Sequence, residues 1–264
     1  MATAPRRWIK SLIIVLLALT ILFSAYVTLL AYPTPLFPNK IKYQNLTLYC
    51  DDKLDSTYID ILSDVQHRAS RLDIYDSTHQ YHIYLCKSQN LYSAFAKLVR
   101  KTPDSQGMVL TLLNTIFISQ PRVDYMRSVS PNFTTHSFLD GDLAGVIAHE
   151  IGHQLIMKKT DYSGHSDLPF WKIEGISEFA GHGYALKNDM SYRLSDGIYL
   201  LYNDFFWGKG QSYRRSVYRA QILVDYLSQV EKLTVSAIID YDRNDTDIEN
   251  DLKAWYRLNK VYNR

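Results

Sequence analysis

From Ser11 to Ala31 the chain runs 21 residues without a charged side chain, directly after Arg6, Arg7 and Lys10. Such a stretch has few ways to fold. In lipid every backbone N–H and C=O must find its partner within the segment, so a helix is required. At 1.5 Å per residue the run covers about 31 Å, which matches the hydrocarbon thickness of a bilayer. The basic flank favours the cytoplasmic side and sends the rest of the chain outward. Trp8 and Tyr32 stand near the two ends, where aromatic side chains suit the interface. A cleaved export signal would imply the same compartment, but its apolar region is normally about 7–15 residues. The longer run reads as an uncleaved signal-anchor. Residues 1–10 are then a cytoplasmic flank and 11–31 the transmembrane segment. Residues 32–44 form a linker stiffened by Pro33, Pro35 and Pro38, and 45–264 are a periplasmic or extracellular domain.

The flank also accounts for the apparent basicity. Of 29 Lys and Arg, three precede the span, leaving 26 against 27 acidic residues. That balance offers no electrostatic surface for nucleic acid.

The pattern of the exported part is α+β. Strand-like runs at 45–50, 81–86 and 115–119 alternate with helical spacing at 54–72 and 90–100, which predicts a small α+β part with a mixed sheet over 45–139. From 140 to 264 helical patterns dominate, at about 142–158, 171–186, 190–206, 213–229 and 246–261. The helix over 142–158 lies between the two parts. Leu143, Val146, Ile147, Ile151 and Leu155 make it apolar on most sides, so it should be buried. Gly145 and Gly152 cost it about 1 kcal/mol each relative to alanine, which makes sense where another backbone packs closely. Cys50 and Cys86 each end a strand-like run. In an oxidising exterior a disulfide between them is reasonable, and two buried free thiols are the alternative.

The buried helix carries His149-Glu150-Ile151-Gly152-His153. Two histidines four apart sit about 40° apart around a helix axis, one turn displaced, so both can reach one metal ion. Glu150 lies about 100° round from His149, near the ion without being a ligand. That division between ligands and base is what metal-assisted hydrolysis needs. Twenty-five residues after His149 comes Glu174, within Trp171-Lys172-Ile173-Glu174-Gly175-Ile176-Ser177-Glu178-Phe179. Glu178 is one turn beyond Glu174, placed to accept the other ring N–H of a ligating histidine. His165, in the intervening loop, and His182 have weaker claims on the same cleft.

These two segments resemble the gluzincin zinc metallopeptidases of the peptidase MA-like group. The resemblance covers roughly 107–240 and implies that His149, His153 and Glu174 hold one Zn²⁺ and that Glu150 is the general base. It also implies a zincin-type helical part. Ser216 to Leu227 is similar to the helix that carries an oxyanion-stabilising tyrosine in the aminopeptidase branch, and Tyr218 is the matching position. The segment Gly107-Met108-Val109-Leu110-Thr111-Leu112-Leu113-Asn114 lacks the acid with which that branch grips a free N-terminus. The expectation is therefore an endopeptidase acting on peptides or proteins at the outer side of a membrane. The strand 115–119 could form the edge of its cleft and accept an extended peptide, and an ordinary buried strand is the alternative. The competing expectation is a membrane-anchored binding or scaffold protein that keeps the fold without the catalysis.

Overall fold

The computed structural model describes residues 4–129, 142–161, 167–182, 194–203, 207 and 212–260. The chain opens with α1 (Ala4–Ala31), then β1 (Asn39–Tyr43), β2 (Leu46–Cys50), α2 (Thr57–Ala69), β3 (Tyr81–Cys86) and α3 (Gln89–Leu98). Next come β4 (Gly107–Leu110), β5 (Thr115–Ser119), α4 (Gln120–Val129), α5 (Leu143–Lys159) and α6 (Phe170–His182). The remaining helices are α7 (Leu194–Tyr202), α8 (Ser212–Gln229), α9 (Val235–Asp240) and α10 (Asp245–Lys260). The class is α+β with one mixed sheet, as the pattern predicted.

The sheet has the order β1-β2-β3-β5-β4. Its centre is parallel, β2 to β3 to β5, and an antiparallel strand closes each side. The parallel steps need crossovers, and α2 and α3 supply them. The two helices cover opposite faces. Leu46, Leu48 and Cys50 alternate into one core with Ile83, Leu85, Ile116 and Ile118, where α2 and α5 pack. Tyr84, Cys86, Met108 and Phe117 point the other way, into a second core with Phe95 of α3. This period of two is the ordinary consequence of a pleated strand.

The same alternation rules out the disulfide. Cys50 pairs in register with Leu85, one residue short of Cys86. The two thiols therefore project from opposite faces of the sheet, and both are free and buried. A shift of one residue inverts every side chain, which the endings of two isolated strands cannot reveal. The segment 32–44 holds more than a linker. Leu36 N–H and Phe37 N–H donate to the carbonyls of Pro33 and Thr34, Phe37 is buried in the second core, and β1 begins at Asn39. Of the two readings of 115–119 the buried strand holds. It is β5, paired on both sides, so its backbone groups are used, and among the described residues the outer strands are β1 and, next to β5, β4.

The apolar helix α1 reaches from Trp8 to Ala31 in a stretch long and apolar enough to cross a membrane. Its last turns touch the domain. Leu30 is buried in the second core, and the Tyr26 hydroxyl donates to the carbonyl of Leu98 at 2.9 Å.

Candidate metal centre

α5 is buried along most of its length, as its composition requires, and starts on Asp142, whose carboxylate accepts the Ala144 N–H at 3.1 Å. α6 lies directly against it. A Cβ on Gly152 would stand 2.9 Å from Ser177 Cα, and one on Gly181 would stand 2.8 Å from the Gly145 carbonyl oxygen. Gly152 of α5 and Gly181 of α6 thus each admit the backbone of the other helix. Gly175 does the same service on the other side of α6, where a Cβ would collide with the carbonyl of Ala220 on α8. Close backbone approach is what brings α6 near enough for a short glutamate to reach the histidines of α5.

One further residue holds the pair of helices. Arg68 of α2, almost fully buried, donates to the Gly181 carbonyl at 2.5 Å and pairs with Asp142 at 2.6 Å and Asp64 at 2.7 Å. It ties the start of α5 to the end of α6. Arg68 has no motif around it, and the sequence offered no signal for this role.

His149, His153 and Glu174 converge. One ligand atom from each lies within 4.8 Å of the others, an arrangement that could hold a metal ion. The Nε2 atoms of the two histidines are 3.0 Å apart, and they stand 3.8 Å and 4.0 Å from the carboxylate oxygens of Glu174. Ligands about 2.0–2.1 Å from a tetrahedral zinc would be separated by ~3.3 Å, so the spacing fits with small adjustments. The outer ring nitrogens also have neighbours. His149 Nδ1 is 3.3 Å from Glu178 Oε1, and His153 Nδ1 is 3.0 Å from Ser177 Oγ. When those nitrogens carry the ring hydrogens, both Nε2 lone pairs face each other, which is repulsive until a cation enters between them. Ser177 is the partner that the sequence reading missed. Its position three residues after Glu174 and one before Glu178 puts it on the same helical face, and that spacing could have found it.

The charges tell the same story. Burial disfavours a charged His149, but Glu178, with Glu150 and Glu174, outweighs burial and raises its pKa to about 9. The pocket therefore draws positive charge. Glu150 is pushed up to about 7, by burial first, against the pull of His149 and with the help of Glu174. A carboxyl near neutrality can both take and release a proton. Glu178 is likewise raised by burial, against the pull of His149. Glu178 is sealed from solvent with a side chain 1% exposed, whereas Glu174 keeps 18% exposure and borders the open side.

Glu150 lies against β4. A Cβ on Gly107 would come within 2.5 Å of its Oε1, so the first residue of this outer strand must lack a side chain for the carboxylate to occupy its place. Tyr218, on α8, is buried in the principal core with its ring 5.5 Å from that of Trp207. Tyr213, a turn and a half earlier, is largely exposed, with its ring 6.2 Å from that of Phe170 at the start of α6. Its pKa is raised to about 12 by desolvation and by Glu174, Glu178 and Glu150. His165 and the side chain of His182 lie outside the described residues.

No protein-family model matches the chain, and no curated protein matches it. The functional reading therefore rests on the centre itself.

Proposed function

We propose that this chain is a zinc-dependent endopeptidase, anchored in a membrane by α1 with its N-terminus on the cytoplasmic side and its centre outside. The observation that carries the reading is the meeting of three donor atoms within 4.8 Å, contributed by two helices, with a fourth polar group, Glu150, beside them. His149, His153 and Glu174 would hold the ion, and Glu178 and Ser177 would fix the ring orientations from outside. Bound there, zinc supplies a Lewis acid and lowers the pKa of water to about 7. Glu150 takes a proton from the attacking water and delivers it to the departing amine. The outer edge of β4, unpaired among the described residues, offers backbone groups with which an extended peptide can pair, and Gly107 brings that edge alongside Glu150. A hydroxyl on α8, from Tyr218 by resemblance or Tyr213 by its position in the carboxylate field, would donate to the developing oxyanion.

The test is Glu150→Gln. The variant should keep one zinc per chain by metal analysis and lose ~10²–10⁴-fold in cleavage of a mixed peptide library, the usual scale for a general base. Unchanged turnover would remove Glu150 from the mechanism. Stoichiometric zinc in the wild-type protein with no cleavage of any peptide would favour the scaffold reading instead.

A further inference from the structure

The centre and the end of the membrane helix are built on the same strand. Gly107, the first residue of β4, lies against Glu150, while Leu110, its last, pairs in register with Thr115, whose hydroxyl donates to the carbonyl of Leu30 at 3.4 Å. Three steps of about 3.4 Å separate them, so about 10 Å of strand lies between the residue beside Glu150 and the residue paired with Thr115, the partner of Leu30.

The position of the bilayer follows from which part of α1 the domain covers. Trp8 to Ala25 are exposed, whereas Tyr26 and Leu30 are engaged by the domain. The exposed part spans ~27 Å, close to a hydrocarbon thickness of about 30 Å. Tyr26 then sits at the interface, a level that suits tyrosine. At that level the domain presents Leu98, on the carbonyl of which Tyr26 is bonded, and the exposed cations Lys97, Arg100 and Lys101. Leu112, in the turn between β4 and β5, is 81% exposed. Apolar and basic side chains together suit a headgroup layer. Nothing slack intervenes, because Phe37 and the turn at Thr34–Leu36 bind the connection to the domain. The cleft is held at a fixed, low height.

We infer that the polypeptide cut by this centre is itself tethered in the same membrane, and that the cleaved bond lies within a few residues of the bilayer surface. The inference rests on the hydrolase and anchor readings proposed above and adds the class of substrate. A chain rising from the bilayer enters the cleft along β4 at the height where Glu150 stands, while segments farther out lie beyond its reach.

The full-length protein, zinc-loaded and reconstituted in phosphatidylcholine vesicles with a minority of phosphatidylglycerol, would be given two probes. One is a single transmembrane helix bearing a randomised stalk of ~40 residues, which at about 3.5 Å per residue can extend well past the domain. The other is the same stalk without its helix. Cut positions are read by mass spectrometry. Cuts gathered in the ~10 residues nearest the bilayer, together with at least about tenfold slower cleavage of the free stalk, are expected from a site about 10 Å along the strand. Cuts spread evenly, or confined to the distal half, overturn the inference and leave the hydrolase reading standing. No cleavage of either probe overturns both.

Discussion

At Gly107 a methyl group would stand 2.5 Å from Oε1 of Glu150, and the carboxylate is the partner free to move. Gly107→Ala should therefore leave the fold and the zinc content nearly unchanged and displace the base. Misplacement of a reacting group by about 1 Å can cost 10²-fold, so a drop of that order in kcat, at one zinc per chain, is the expected result. Retained kcat would show that Glu150 has room to return. The sequence made His149, Glu150, His153 and Glu174 legible because their spacing is local and helix geometry converts it into direction. It was silent on Gly107 and Arg68, whose importance comes from residues 43 and 113 positions away. Distance along the chain erases such a signal.

Among the elements, the pairing of α5 with α6 decides the centre. A helix gains about 1 kcal/mol when glycine becomes alanine, but at Gly152 the new Cβ would press on Ser177 Cα. Crowding of that kind costs about 1–3 kcal/mol. Gly152→Ala should be less stable in denaturant unfolding and bind zinc more weakly in chelator competition, since α6 carries Glu174. A second junction is ionic. Glu249 of α10 accepts from Tyr202 of α7 at 2.6 Å and from Arg219 of α8 at 2.7 Å, and Lys253 stands 2.6 Å away. Burial alone would raise its pKa, but these partners outweigh it and hold it at about 2, below the ordinary 4.5. A depressed folded-state pKa stabilises above the unfolded value and loses that contribution as pH falls through the folded one. The stability gap between wild type and Glu249→Gln should thus be constant above pH 4.5 and close as pH approaches 2. A gap independent of pH over that range would exclude the ionised form as its source. The helices and strands themselves were largely foreseen from periodicity. β1, β4, α4 and α9 were not, being 5, 4, 10 and 6 residues long with too little pattern to read.

For the molecule as a whole, α1 belongs to the domain that it tethers. Leu30 and Phe37 are both buried in the second core, and full burial of such a side chain contributes about 1.5–3 kcal/mol. A chain beginning at Asn39 should be ~3–6 kcal/mol less stable than one beginning at Ser24, measured by urea unfolding. Equal stabilities would mean that α1 only tethers. What the sequence determined alone was everything carried by near neighbours: an apolar helix of membrane length, an α+β order of elements, and a histidine pair with its glutamate on one buried helix. Tertiary structure decided which strands lie at the edges of the sheet, which faces the two cysteines occupy, and that the apolar helix α1 docks on the domain. Those outcomes depend on strand order, register and the docking of distant segments, and local spacing leaves each of them open because the same pattern is compatible with either choice.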